Sequence, residues 1–252
     1  MSKKKNKKIS PAEIFLVISA LFLGILIVML VAGNKKKITI GGDGERVITG
    51  DYPLPSEIIE SDKITYFPYM EIPDVIFNRM YKMSFTEDCP VTREDLRYVK
   101  VLYWGTDNSP HTGELIVNKV IAEQTRDIFF ELYKASYQIE RIELVDTYGA
   151  NDEVSMSNNN TSCFNARKVK GSDEWSKHAY GMAIDINPLY NPYISAEGKV
   201  LPIKGEKYAD RENNFKMKID SGSYVYSVFK KYGFTWGGDW DNVKDYQHFE
   251  IQ

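Results

Sequence analysis

An apolar run of 20 residues, from Ile14 to Gly33, is the feature that most limits how this chain can fold. It contains no charged residue, and about 20 apolar residues in a helix match the hydrocarbon thickness of a bilayer. Five lysines precede the run and three follow it, so the positive-inside rule places the N-terminus in the cytoplasm. We therefore expect a single-pass membrane protein with most of the chain outside the cytoplasm.

This feature divides the sequence into four predicted regions. They are a cytoplasmic N-terminus (1–13), a transmembrane anchor (14–33), an extracytoplasmic spacer (34–75) and one globular domain (76–252). Glycines, prolines and scattered charges without a helical or strand period indicate the spacer. A cleaved signal peptide is the alternative for the apolar run, although the run is longer than a usual signal core and lacks a small-residue cleavage site.

The charge of the exported part excludes one class of partner. Beyond residue 37 the chain has 24 Lys and Arg against 34 Asp and Glu, a net charge of −10. An acidic surface repels phosphate backbones, so we expect no nucleic-acid partner. The same charge disfavours attachment to an anionic surface, which leaves the N-terminal helix as the predicted membrane contact.

The two cysteines, Cys89 and Cys163, both lie in the part predicted to be outside, where oxidation is permitted. A bridge between them would close a long loop and contribute on the order of 4 kcal/mol in the entropic account. Two free thiols are the alternative.

Helical and strand patterns are mixed without a βαβ repeat, which favours an α+β domain with a small antiparallel sheet and flanking helices. Alternating or β-branched stretches predict strands over residues 96–104, 139–148 and 248–251. Apolar residues at helical spacing predict helices over residues 119–135, with Asn118 as the N-terminal cap, and over residues 224–233, ending at Gly233.

The stretch "SKHAYGMAID", residues 176–185, places a histidine seven positions before an aspartate. In one continuous strand this odd separation would put His178 and Asp185 on opposite faces. Gly181 can supply the break that cooperation between them requires. After it, the apolar residues of "MAIDIN" face one side and Asp185 faces the other, where a carboxylate needs a partner or a metal ion.

The end of the chain, "DYQHFEIQ", holds a second histidine beside acids. In a strand, His248 and Glu250 share one face, and Asp245 lies three residues earlier. Catalytic zinc takes three protein ligands from His, Asp, Glu and Cys and keeps a fourth position for water. His178, Asp185 and His248 offer such a set, while hydrogen-bonded core histidines are the alternative.

A resemblance narrows this choice. "SKHAYGMAID" meets every fixed position of the Ser-x-His-x-x-Gly-x-Ala-x-Asp signature of the zinc D-Ala-D-Ala carboxypeptidase family. That family includes VanY-type carboxypeptidases, VanX-type dipeptidases and phage L-Ala-D-Glu endolysins. "DYQHFE" is similar to the acid-x-x-His element of the same family, and the resemblance extends from about residue 80 to the C-terminus.

The resemblance implies a Zn²⁺ ion held by His178, Asp185 and His248, with Asp245 as the general base. Many members carry glutamate at the base position, so the shorter Asp245 needs a closer approach of its backbone to the reacting water. Glu250 is the alternative base, or else the partner that orients the His248 imidazole.

The sequence also allows predictions about Arg167, Ser176 and His111. The resemblance implies an arginine just ahead of the zinc motif that binds substrate and the developing oxyanion, and Arg167 is in that position. An exposed basic residue is the alternative reading of Arg167. Ser176 either binds substrate or shapes its loop, and we expect His111 to lie outside the metal site.

Together these features predict a membrane-anchored zinc metallopeptidase acting outside the cell on the stem peptides of peptidoglycan. The resemblance implies the fold of DD-peptidases and hedgehog-type domains, with either D-Ala-D-Ala carboxypeptidase or L-Ala-D-Glu endopeptidase activity. The alternatives are a non-catalytic cell-wall-binding module of the same fold and a zinc hydrolase of another peptide, because fold does not determine substrate.

Overall fold

The computed structural model describes residues 52–251, which contain five α-helices and eleven β-strands. The predicted cytoplasmic N-terminus, the predicted transmembrane anchor and residues 34–51 of the predicted spacer lie outside the described residues. Within residues 52–251, no helix combines the length and the apolar character needed to span a bilayer.

The helices are short, and all but one are of eight residues or fewer: α1 (Lys63–Tyr66), α2 (Asp74–Met80), α3 (Ala122–Lys134), α4 (Asp152–Ser157) and α5 (Tyr224–Lys231). Most strands are also short: β1 (Tyr69–Met70), β2 (Leu96–Trp104), β3 (Pro110–Asn118), β4 (Arg141–Ile142), β5 (Asn160–Thr161), β6 (Ala183–Asp185), β7 (Tyr193–Ile194), β8 (Val200–Leu201), β9 (Thr235–Trp236), β10 (Lys244–Asp245) and β11 (His248–Glu250).

The strands form three small antiparallel sheets and one parallel pair. The sheet orders are β1-β2-β3, β6-β11-β9 and β10-β7-β8, and β4 pairs with β5 in parallel. Helix α3 packs on β2 and on α5. This mixture confirms the predicted α+β class, with three small sheets where the sequence predicted one.

Most predicted elements near the core are present. Strand β2 has the predicted bounds, and the helix predicted over residues 119–135 is a 3₁₀ turn (Lys119–Ile121) followed by α3. Asn118 caps it, because its side-chain oxygen accepts a hydrogen bond from the Val120 N–H at 3.2 Å. Helix α5 ends at Lys231, and Gly233 follows with a φ of +86°.

The strand predicted over residues 139–148 is wrong for most of its length. Only Arg141–Ile142 pairs as a strand, and Val145–Tyr148 forms a 3₁₀ turn that ends at Gly149 with a φ of +65°. The Asp146 carboxylate accepts hydrogen bonds from the Ser84 N–H and hydroxyl at 3.0 and 2.9 Å. A distant segment therefore stabilises the turn, and local alternation could not reveal it.

The compact unit extends from Tyr52, before the domain boundary predicted at residue 76. Ile58, Phe67 and Ile72, all in the predicted spacer, are at most 3% exposed and belong to the hydrophobic core. The described part of the spacer is therefore part of the fold, because burial of these side chains stabilises it against the rest of the unit.

The cysteines are not bridged. Cys163 is buried, Cys89 is partly buried, and both are free thiols. The predicted alternative of two free cysteines is the one found.

Candidate metal centre

A 3₁₀ turn, Lys177–Tyr180, presents His178 to the site. The Ser176 hydroxyl accepts a hydrogen bond from the His178 N–H at 3.3 Å, so Ser176 shapes the turn. Gly181 ends it with a φ of +66°, and a Cβ there would lie 2.6 Å from the Asn118 backbone nitrogen. The break expected at Gly181 is present, and glycine satisfies both its left-handed backbone and its close packing.

Strands β6 and β11 present the other two side chains. In their antiparallel register His248 lies directly opposite Asp185, so the two side chains share one face. Phe249 lies opposite Ile184, and both are fully buried on the core side. The alternation predicted for both strands is therefore present, and it places His248 and Asp185 together away from the core.

These three side chains converge within a space suited to one metal ion. His178 Nε2 lies 3.2 Å from His248 Nδ1 and 3.3 Å from Asp185 Oδ2, and His248 Nδ1 lies 3.0 Å from Asp185 Oδ1. Ligand atoms at tetrahedral angles and about 2.0 to 2.1 Å from zinc would be roughly 3.3 Å apart. Within residues 52–251 this is the one cluster of three or more His, Cys, Asp or Glu side chains with that proximity.

The outer ring nitrogens determine which atoms face the centre. His178 Nδ1 lies 2.5 Å from the Cys163 carbonyl oxygen, which can only accept, so Nδ1 carries the proton. His248 Nε2 lies 3.2 Å from the Glu250 carboxylate and donates to it. Metal-binding histidines characteristically donate their second N–H in this way, to a carbonyl or a carboxylate. Glu250 is thus placed as the orienting partner of His248.

The charges of His248 and Asp185 at the centre depend on each other. Burial disfavours a charged His248, but hydrogen bonds to Asp185 and Glu250 outweigh it and raise the pKa of His248 to about 10. Burial also opposes ionisation of Asp185, yet the neighbouring imidazoles lower the pKa of Asp185 well below its usual value. The inward nitrogens and the carboxylate are thus three buried acceptors that share one proton, which a divalent cation can replace.

Asp245 lies on β10, three residues before His248. Its Oδ1 atom is buried and, among the described residues, has no hydrogen-bond partner. Burial raises the pKa of Asp245 to about 6. A Cβ at Gly237 would lie 2.6 Å from the Asp245 carbonyl oxygen and 2.8 Å from its Cβ, so only glycine allows the turn at residues 237–239 to pack this closely against Asp245.

Arg167 lies at the edge of the site. Its Nε atom forms an ion pair with the Asp152 carboxylate, and its side chain is 37% exposed. Burial lowers the pKa of Arg167, while the negative charges of Asp185 and Asp245 oppose this shift. Arg167 is therefore neither a fully exposed basic residue nor a ligand, and substrate binding by it stays a prediction.

Sequence patterns did not predict that the backbone of residues 163–167 supports the site. Besides the Cys163 carbonyl, the Asn165 N–H donates to the His178 carbonyl at 3.2 Å. The Arg167 carbonyl accepts from the Ser176 N–H at 3.1 Å. Alternate residues of this segment thus hold the turn that carries His178. Because the contacts use backbone atoms, no side-chain type marks them in the sequence.

His111 and two tryptophans lie at different distances from this cluster. His111, on β3, pairs with Asp107 at 2.9 Å and stacks on Tyr103, so it is not in the metal cluster, as expected. Trp236 is a core residue, whereas Trp240 is half-buried with its ring centre 5.4 Å from that of His248. Trp240 is thus a wall of the site.

Comparison with known proteins supports the resemblance over the C-terminal third of the chain. A sequence model of the D-alanyl-D-alanine carboxypeptidase family matches residues 170–251, which include His178, Asp185, Asp245 and His248. Neither the curated proteins nor the solved structures yielded a match. Residues 170–251, which hold the whole His-Asp-His cluster, are therefore similar in sequence to the D-alanyl-D-alanine carboxypeptidase family.

Proposed function

We propose that this chain is a zinc-dependent peptidase that hydrolyses peptidoglycan stem peptides. The observation that carries the proposal is the buried cluster of His178, Asp185 and His248, whose acceptor atoms are spaced for one tetrahedral ion. It lies inside the segment that matches the carboxypeptidase family. A bound zinc ion would polarise the scissile carbonyl and acidify a water molecule.

Asp245 is the proposed general base. It is a partly buried acid whose buried Oδ1 atom has no hydrogen-bond partner among the described residues, and the charges of His248, Asp185 and His178 act on it, so it can accept a proton from the attacking water. The protonated carboxyl can then donate to the leaving amine. Because burial raises the pKa of Asp245 to about 6, activity should fall as the pH falls through this value. A nearby cation would move this limit to lower pH.

Arg167 is the proposed substrate-binding residue. Its guanidinium carries a positive charge next to a site that is otherwise rich in carboxylates. A peptide carboxylate or a developing oxyanion would bind to its Nη groups, which can donate two parallel hydrogen bonds.

The proposed location is outside the cell, with residues 14–33 as a single-pass anchor. The sequence supports this through the charge-free apolar run and the excess of lysines before it. The anchor would hold an acidic domain near the cell wall without electrostatic attraction to it.

The function is tested by incubating the full chain with zinc and two sets of peptides. One set ends in D-Ala-D-Ala and the other contains an internal L-Ala-D-Glu bond, and mass spectrometry identifies the products. Cleavage of either set supports the proposal and identifies the scissile bond. Zinc binding without cleavage would indicate a non-catalytic wall-binding module, and cleavage of unrelated peptides alone would indicate another zinc hydrolase.

Asp245→Asn separates catalysis from metal binding. We expect kcat to fall by roughly 10²- to 10⁴-fold with zinc still bound, because only proton transfer is removed. Asp241→Asn is the matched control, since Asp241 is an exposed acid in the same segment and should leave kcat unchanged. Full activity of Asp245→Asn would remove Asp245 from the mechanism and leave Glu250 as the acid to test.

A further inference from the structure

We propose that Asp152 is a positioning residue that holds the Nε edge of Arg167 and leaves the Nη groups to bind substrate. The inference rests on the proposed function, because it concerns the same site. Asp152 is the first residue of α4, outside the segment that matches the carboxypeptidase family.

The two oxygens of Asp152 have different partners. Oδ2 forms an ion pair with Arg167 at Nε, an atom that has no hydrogen-bond partner among the described residues, and Oδ1 accepts a hydrogen bond from Asn165 Nδ2 at 2.6 Å. Asn165 also donates from Nδ2 to the Ala150 carbonyl at 3.2 Å. The carboxylate is thus held on one side while it binds the guanidinium on the other.

Asn165 connects this carboxylate to the metal centre. Its backbone N–H donates to the carbonyl of His178, a member of the metal cluster, at 3.2 Å. Arg167, two residues later, is tied by its own carbonyl to Ser176. Asp152, Arg167 and His178 are therefore joined through one short backbone segment, and an arginine held in this way loses less freedom when it binds substrate.

The charges favour the same assignment. The negative charges of Asp185 and Asp245 attract the Arg167 guanidinium. A flexible guanidinium could therefore turn toward these carboxylates and compete with a metal cation for them. An ion pair with Asp152 at the Nε edge keeps it in place. Within residues 52–251, the Nη groups of Arg167 form one hydrogen bond, a long one of 3.5 Å from Nη1 to the Lys168 carbonyl.

The N-terminal cap of α4 does not depend on Asp152. Asn151 already caps this helix, because its side-chain oxygen accepts from the Val154 N–H at 3.1 Å. Glu153 supplies a second acid in the same turn and is exposed. Glu153→Gln is therefore a matched control, since it removes one negative charge from the same turn without touching Arg167.

The test is a double-mutant cycle on the full chain, with zinc content measured for every variant. Asp152→Asn should lower kcat/KM for the cleaved peptide roughly 10- to 100-fold, as loss of an orienting partner does, with zinc content unchanged. In an Arg167→Lys background the same substitution should change kcat/KM less than about two-fold. Asp152→Glu should restore part of the activity, and Glu153→Gln should match the unsubstituted protein.

A second readout does not depend on turnover. The Nε–H signal of Arg167 is assigned in nitrogen NMR by its loss in Arg167→Lys. Because Nε is buried, this proton should exchange slowly with water, and loss of the ion pair in Asp152→Asn should let the guanidinium move and speed the exchange. If the unsubstituted protein cleaves no peptide, the proposed function fails while this signal still tests the ion pair. Equal losses of kcat/KM in both backgrounds, or an Nε–H exchange rate that Asp152→Asn leaves unchanged, would overturn the inference.

Discussion

His178 and His248 face the same point, but the chain holds them in different ways. His178 lies on a 3₁₀ turn, and its outer nitrogen donates to a backbone carbonyl, that of Cys163. His248 lies on strand β11, and its outer nitrogen donates to the carboxylate of Glu250. One imidazole is oriented by a neutral group and the other by a negative charge.

The two partners, a carbonyl and a carboxylate, have different effects on the orientation and on the basicity of the imidazole rings. A carbonyl fixes the ring and its tautomer without adding charge, whereas a carboxylate also strengthens the imidazole as a base and a ligand. The raised pKa of His248 reflects this second effect together with the hydrogen bond to Asp185. The first support belongs to the backbone and cannot be removed by a side-chain substitution, but the second can.

Loss of either imidazole should have the largest effect. We expect His178→Ala and His248→Ala each to weaken zinc binding about 1,000-fold, because metal sites of about 10–16 kcal/mol share that energy among three or four ligands. His111→Ala is the control and should bind zinc normally. Competition with a chelator measures the affinity. An unchanged affinity in either variant would show that the two histidines are not equivalent ligands.

Removing the carboxylate behind His248 should have a smaller effect. We expect Glu250→Gln to lower zinc affinity roughly 10- to 100-fold, as loss of such a partner does elsewhere. Glu197→Gln, at an exposed position, is the control. The same chelator competition applies. A loss as large as that of His248→Ala would instead make Glu250 a ligand.

The turn behind His178 can be disturbed through Gly181. Gly181→Ala should destabilise the fold by roughly 2–5 kcal/mol, because a left-handed backbone costs about 1–2 kcal/mol and the new Cβ would contact Asn118. Gly149→Ala is the control, since Gly149 has nearly the same φ of +65° and no atom within 4 Å of the added Cβ. Thermal unfolding compares them, and equal losses of stability would show that the contact with Asn118 is relaxed.

The smallest effect concerns the proton on His248. With a pKa of about 10, the metal-free imidazole is protonated at pH 7, so zinc must displace about one proton and its affinity should rise as the pH rises toward 10. Calorimetry in two buffers of different ionisation enthalpy counts the protons released. Release of no proton at pH 7 would show that Asp185 and Glu250 do not raise the basicity of His248.

Local patterns predicted the parts of the site that depend on near neighbours. Alternation in residues 182–187 and 248–251 placed Asp185 and His248 away from the core, and Gly181 was the expected break. The strand predicted over residues 139–148 failed because Ser84, far away in sequence, stabilises a turn there. The pairing of Arg167 with Asp152 was also missed, because a fifteen-residue separation across a turn and a helix has no sequence period.

The sequence by itself determined which side chains can bind a metal and which face of each short strand they occupy, since both depend on residue type and on the strand period of two. Only the tertiary structure decided that His248 lies opposite Asp185, that the Cys163 carbonyl fixes His178 and that Asp152 holds Arg167. The physical reason is that register, backbone hydrogen bonds and ion pairs between distant segments depend on how the whole core packs, and no local pattern encodes that packing.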